Sequence, residues 1–498
     1  MFKFLMPQAG LFMPMRWTFI VFSFSALLLL PVFMFNTYLG VAAAPDKHVH
    51  VWLTTRDGYN KLSRQKNIVF GDDRSSARIT IDVNENQQLQ QMEGFGAAMT
   101  DSSAWLIGTK MTATQRNAVM HALFDPAQGI GISFVRVPMG SSDYTVSGPY
   151  SYDDLPNGHQ DPALEHFSIN HDIAYIIPLL RQAQQIHPNL RYMANPWSPP
   201  AWMKTNQSIL GVSHGQTGSL LPTAYGPLAR YFVKFIQAYE EQGVPIYAIS
   251  PQNEPLYAPP SYAGMSFPAE EEAQFIKNDL GPALTEAHLN TKLLAYDYPW
   301  VNLEYPVTLL DDPDVSRYIA GIAWHCYMGK PSAMTMVHQV YQAKGMYETE
   351  CSTGPAGSIY PAVDLAIRST QESASTTVLW NLALDTQGGP KMGRGCDGCN
   401  SLVTIDQATG NYVFTDNYYQ LGHVSKFVTP GAYHIASIST DESKLLQVAF
   451  KNPDGSIALV VHNTSSSSVS FKVRRGDGQS FLYMLPAGGI ASFVWNED

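Results

Sequence analysis

Pro245–Ile246–Tyr247–Ala248–Ile249–Ser250 is a short apolar run, and Pro251–Gln252–Asn253–Glu254–Pro255 follows it directly. A run of this length bounded by proline reads as a buried strand whose end carries polar groups. Seven more runs share its character: Met92–Ala98, Ile132–Val137, Leu190–Ala194, Lys292–Tyr296, Ile319–His325, Gly345–Glu350 and Thr376–Leu382. Apolar residues at helical spacing fill most of the gaps, as in Ile173–Gln184, Ala229–Glu240, Glu270–Leu280 and Ala362–Thr370. Eight such alternations predict an α/β fold, a closed (β/α)8 TIM barrel. An open doubly wound sheet is the alternative, but no G-x-G-x-x-G follows the first strand.

Outside this region the pattern changes. Val49, Val51 and Leu53, then Ile79, Ile81 and Val83, alternate as half-buried strands do. Leu446–Phe450, Ile457–Val461, Val469–Val473 and Phe481–Leu485 are short runs separated by turn residues such as Asn452–Pro453–Asp454–Gly455. Both ends are therefore expected to meet in one all-β sandwich side domain, from residues 45–88 and 431–498, beside a barrel over 89–430. Residues 1–44 read as a targeting segment. Lys3 and Arg16 precede the apolar stretch Trp17–Phe35, and small residues follow at Val41–Ala42–Ala43–Ala44. This is the layout of a secretory signal removed near Ala44, with a retained membrane anchor as the competing reading. The expectation is a secreted or periplasmic protein.

The whole chain has 498 residues, of which 45% are hydrophobic, 12% aromatic and 15% charged. Those proportions exclude a disordered chain, a coiled coil and a collagen-like fibre. A formal charge of −11 leaves little to neutralise phosphates, so nucleic acid is not an expected partner.

In a parallel barrel the chemistry sits where strands run out at their carboxyl ends. The fourth strand delivers Asn253–Glu254. The seventh delivers Glu348 and Glu350, which alternation sends to the same side, so spacing leaves the choice between them open. An isolated glutamate in a loop is ordinarily a solvated charge. Two carboxyl groups on strands three places apart can instead face one pocket. Cleavage of a glycosidic bond needs such a pair, one protonated to release the leaving oxygen and one ionised to attack or to activate water. The other exits add Asp101, Arg136, Asp143, Trp197, Asp297, His325, Tyr327, Trp380 and Asn381. Hydroxyl partners and flat aromatic faces of this kind suit a sugar. For Arg136 a buried strut paired with a carboxylate is an equal reading.

Rival signatures do not hold. Gly211–Val212–Ser213–His214–Gly215 matches a nucleophile elbow by letter, but it lies in a polar stretch with no strand before it. Cys396–Asp397–Gly398–Cys399 lacks the second ligand pair of a zinc site, and outside the cytoplasm a local disulfide suits it better. Cys326 and Cys351 end neighbouring strands, and whether they bond cannot be read from spacing. Asn206–Gln207–Ser208 and Asn463–Thr464–Ser465 match glycosylation sequons by letter.

Several ordered motifs resemble glycoside hydrolase family 30, in particular its glucosylceramidase branch. They are Gly94–Phe95–Gly96–Ala97–Ala98–Met99–Thr100–Asp101, Arg136–Val137–Pro138–Met139, Trp197–Ser198–Pro199, Asn253–Glu254–Pro255, Gly321–Ile322–Ala323–Trp324–His325, Trp380–Asn381–Leu382–Ala383–Leu384 and His423–Val424–Ser425–Lys426–Phe427. The resemblance implies a barrel with a sandwich built from both chain ends, and retaining hydrolysis of β-glycosides. It implies Glu254 as acid/base and Glu350 as nucleophile, with Asp143, Trp197, Asn253, His325 and Trp380 lining the sugar subsite. Tyr327 joins them from its strand exit. The expected substrate is a carbohydrate or glycolipid, glucosylceramide or a related β-glucoside, with membrane-surface contact if it is a lipid. A β-1,6-glucan or a β-xyloside is the alternative, and a non-catalytic carbohydrate-binding protein the more remote one. No metal, cofactor or obligate protein partner is expected. The loops after strands three, six and eight, including Cys396–Cys399, depart from the animal lysosomal pattern and leave the aglycone open.

Overall fold

The computed structural model describes residues 48–71, 77–354, 359–393 and 395–496. The targeting segment 1–44 lies outside the described residues. Among those residues no helix is long and apolar enough to cross a membrane.

Eight parallel strands close a barrel: β1 Gly94–Ala98, β2 Phe134–Pro138, β3 Arg191–Asn195, β4 Ile246–Ile249, β5 Lys292–Trp300, β6 Ile319–Gly329, β7 Gly345–Cys351 and β8 Ala374–Leu379. β8 pairs with β1 to complete the ring. Strands covered on both faces must be apolar along their length, which is why these runs were legible. Phe134, Met193, Ala248, Leu294, Ala323, Tyr347 and Val378 fill the barrel interior. The outer layer is helical. Tyr225–Glu241, for example, buries Leu228, Tyr231, Phe232, Phe235, Ile236 and Tyr239 at three- and four-residue spacing. Thr112 and Gln115 cap the helix Ala113–Phe124 reciprocally. The run Ile173–Gln184 is interrupted: it comprises helices Asn170–Ile173 and Ile176–Ile186.

The side domain is a ten-stranded sheet drawn from both ends. His48–Thr54 lies beside Ile490–Asn496, followed by Ser456–Asn463, Leu445–Lys451, Tyr433–Ser439, Ile79–Gln91, Val469–Arg475 and Ser480–Leu485. Phe70 packs against Phe481 (5.2 Å) and Trp495 (5.5 Å), so opposite ends of the sheet fold over a shared core. Two central strands are buried on both faces. Leu445, Ala449, Ile457, Leu459 and Val461 face that core, whereas Leu446, Val448, Phe450, Ala458 and Val460 face the barrel. The sandwich is thus joined to the barrel through a shared sheet rather than a linker.

A large-to-small change inside the barrel leaves a cavity that neighbouring strands cannot fill. Leu294→Ala is expected to cost about 2–5 kcal/mol, read from urea unfolding followed by circular dichroism.

Candidate active site

At the carboxyl end of the barrel a cavity of about 360 Å³ is lined by Asp143, Trp197, Asn253, Glu254, Tyr257, Tyr262, Tyr327, Glu350, Trp380 and Cys396. Seven of the eight site residues expected from sequence therefore share one hollow. The eighth, His325, lies buried beneath it and touches its carboxyl groups. Tyr257 and Tyr262 were not anticipated. The signal was an aromatic pair on the loop behind Pro255, in a chain where aromatics are common.

The floor of the cavity is a lattice of buried charge centred on Asp297, in the carboxyl-terminal half of β5. Its Oδ2 accepts from the Arg136 guanidinium (2.9 Å), the Asn195 amide (2.8 Å) and the Ser250 hydroxyl (2.7 Å). Its Oδ1 accepts from the Thr349 hydroxyl (2.7 Å) and faces His325 Nε2 (3.1 Å). Burial works against the charge, but Arg136 and this set of donors hold the carboxyl well below the usual carboxylate range. Arg136 also donates to Asn253 Oδ1 (2.7 Å) and to Glu350 Oε2, so the two readings of Arg136 merge: it is a strut that grips the site.

His325 links the lattice to both glutamates. Its Nδ1 lies 3.2 Å from Glu254 Oε1 and 4.0 Å from Glu350 Oε1. Burial alone would discharge the ring, yet the charge of Glu350 and bonds to Asp297 and Glu254 raise its pKa to about 10. It is an imidazolium at neutral pH. Tyr327 donates to Glu350 Oε1 (2.7 Å), which leaves both oxygens of that carboxylate engaged. Glu254, His325 and Glu350 have the spacing of metal ligands. A protonated ring and an occupied carboxylate suit proton chemistry better than coordination. Asp153, Asp161 and His166, on the loop after β2, also come within ligand spacing, and there the imidazole is bonded to Asp161 (3.0 Å).

The ambiguity between Glu348 and Glu350 has a backbone answer. Trp324 pairs with Glu348 and the next residue, His325, pairs with Glu350, so Thr349 is an extra residue on β7. Such a bulge breaks the two-residue alternation. Glu350 consequently lines the cavity, whereas Glu348 is buried in the wall and accepts from Trp300 Nε1 (2.9 Å). Burial pushes the Glu348 carboxyl well above its ordinary range.

The walls are aromatic. Trp197 and Trp380 stack at 5.1 Å with 24° between planes, and the Arg136 guanidinium lies 4.9 Å from the Trp197 ring. Asp143 accepts from the Cys396 backbone N–H (3.2 Å); burial and the nearby Glu350 charge raise its pKa to about 7. Cys396 is bonded to Cys399 as expected, and Cys326 to Cys351, the pairing that spacing left undecided. The strand exits carry strained backbone. Glu254, Tyr296 and Asp297 have φ of 45°, 79° and 51°, conformations that concentrate at functional sites. A larger cavity, about 760 Å³, opens in the sandwich; Asp441 is its only carboxylate among the described residues.

The family model described as "Glycosyl hydrolase family 30 TIM-barrel domain" matches residues 92–428, and the one for its β-sandwich domain matches residues 431–493. The chain belongs to glycoside hydrolase family 30. It is a β-glycosidase of that family. An endo-1,6-β-D-glucanase of Neurospora crassa is 33% identical, over 91% of this chain and 96% of the relative. The lysosomal acid glucosylceramidase of Mus musculus is 31% identical over 86% of this chain and 84% of its own length. Among solved structures, the endo-β1,6-glucanase BT3312 superimposes with a TM-score of 0.81 at 30% identity, covering 90% of this chain and all of that one.

Two expectations follow from the lattice. The His325 pKa lies above its ordinary value of 6.5, so the stability His325 adds is complete below about pH 6.5 and disappears as pH rises through about 10. NMR of ring-labelled histidine should show one imidazolium that persists at pH 8. Asp297→Asn strips Arg136 and His325 of their buried counter-charge and should destabilise the fold by about 3–5 kcal/mol, measured by denaturant titration.

Proposed function

We propose that the chain is a retaining β-glucosidase in which Glu254 is the acid/base and Glu350 the nucleophile. The observation that carries this reading is their spacing: oxygens of the two carboxyl groups lie within 4.8 Å of each other. Retaining enzymes hold the pair at about 5–5.5 Å, whereas inverting enzymes need roughly 6.5–9.5 Å to admit a water between them.

In this mechanism the Glu350 carboxylate, held in place by hydrogen bonds from Arg136 and Tyr327, attacks the anomeric carbon. Glu254 gives its proton to the departing oxygen. A covalent glycosyl-enzyme results. Water then enters, Glu254 takes its proton, and the sugar leaves with its anomeric configuration retained. His325, already cationic and bonded to Glu254, orients that carboxyl and offsets the charge it acquires when the proton leaves. Asp143, an acceptor beside the stacked Trp197 and Trp380, suits the hydroxyls of a sugar lying on those rings.

Endo-1,6-β-glucanases recur among the relatives, so a β-1,6-linked glucan is the first substrate to test. This reverses the order in which sequence motifs alone ranked the aglycones. A glycolipid is the second reading, favoured by the exposed Leu256 and Tyr257 on the loop directly behind Glu254. The targeting segment and the two disulfides support action outside the cytoplasm.

Glu350→Gln should lower kcat/KM by at least about 10⁴-fold. Proton NMR during cleavage of a β-1,6-glucan should show the β-anomer appearing first; an initial α-anomer would refute retention. A panel including glucosylceramide and aryl β-xyloside ranks the substrates.

A further inference from the structure

Two cysteines stand next to the reacting groups. Cys326 lies between His325 and Tyr327 on β6, and Cys351 directly follows Glu350 on β7. They are bonded, with Cα atoms 5.2 Å apart. The bond crosses a seam where the strand register shifts. β6 and β7 pair regularly from Gly321–Gly345 up to Trp324–Glu348, and there the extra residue Thr349 breaks the ladder. A bulge leaves backbone groups unpaired and bends its strand. The register therefore shifts immediately before the pair His325–Glu350, with which this ladder ends.

The contacts that orient Glu350 cross this same seam. Tyr327 donates to its Oε1 at 2.7 Å, and His325 Nδ1 lies 4.0 Å from that oxygen. Both partners flank Cys326 in the chain. On the far side of β7, Cys351 pairs with Leu379, and its carbonyl accepts the Trp380 N–H at 2.8 Å. One cysteine backbone thus connects Glu350 to the ring that stacks on Trp197.

We infer that the Cys326–Cys351 disulfide is a positioning element for the glycosidase reaction, fixing the backbone of Glu350 against His325 and Tyr327 on one side and Trp380 on the other. The inference rests on Glu350 as nucleophile. In-line attack tolerates little drift of the attacking oxygen, so loosening the seam lowers turnover more than binding. A bond with only a structural role would change thermal stability and leave turnover per site intact.

The test is the double variant Cys326→Ala/Cys351→Ala, assayed well below its thermal midpoint. Active sites are counted by covalent trapping with 2-deoxy-2-fluoro-β-glucosyl fluoride, which removes misfolded molecules from the comparison. The expected result is a kcat per trapped site at least fivefold below wild type, with KM within threefold. A kcat per site less than fivefold reduced, or a loss carried by KM, overturns the inference. Wild-type enzyme that the fluorosugar fails to trap would sink the assignment of Glu350 instead, so the two failures are distinguishable. If the double variant yields no folded protein, wild-type enzyme is reduced with TCEP, alkylated and followed by mass. Activity should fall with the appearance of the Cys326 and Cys351 thiols. Loss in step with the Cys396 and Cys399 thiols, or none, refutes the role.

Discussion

The Asp297 carboxylate is shut away from water, and a bare charge in that position would not be tolerated. Donors toward the carboxyl ends of five other strands make it possible: Arg136 on β2, Asn195 on β3, Ser250 after β4, His325 on β6 and Thr349 on β7. Barrel closure brings these ends within reach of one another. The carboxylate then converts proximity into fixed positions, because each donor gains only in a narrow geometry. Arg136 and His325 are shared between Asp297 and the two glutamates, so the pair that faces the cavity inherits its placement from a residue that never reaches the surface.

Strain at the strand exits fits the same picture. Glu254, Tyr296 and Asp297 adopt left-handed backbone that costs about 1–3 kcal/mol per residue and persists only where surroundings enforce it. The Glu254 N–H donates to the Asp297 carbonyl (3.0 Å), and the Asn253 N–H to the Pro196 carbonyl (2.8 Å). Below, the barrel interior is packed solid. Alongside, the shared sheet presses Phe450 edge-on against Phe95 of β1. A rigid scaffold of this kind can hold two carboxyl groups close against the repulsion that would otherwise part them.

Legibility varied with how local the cause was. The eight barrel strands were readable because double-sided burial demands continuous apolar runs. Tyr433–Ser439 escaped notice because its pairing with Ile79–Gln91 shifts register twice, so its burial follows no simple period. Glu254 stood out through its place between an apolar run and a proline. Glu348 and Glu350 could not be separated by alternation, since the bulge that distinguishes them depends on how β6 pairs with β7. Asp297 was visible only as one more polar strand end. Its role comes from partners spread from residue 136 to residue 349, a separation that no local pattern records.

By itself, the sequence determined the barrel, the side domain drawn from both ends, and the residue types gathered where strands terminate, because burial and turn chemistry act through near neighbours in the chain. Only the tertiary structure decided how strand register turns Glu350 rather than Glu348 to the cavity, that Cys326 joins Cys351, and how charge is distributed beneath them. Those outcomes depend on strand register and on electrostatic contacts between distant segments, and such contacts exist only once the barrel has closed.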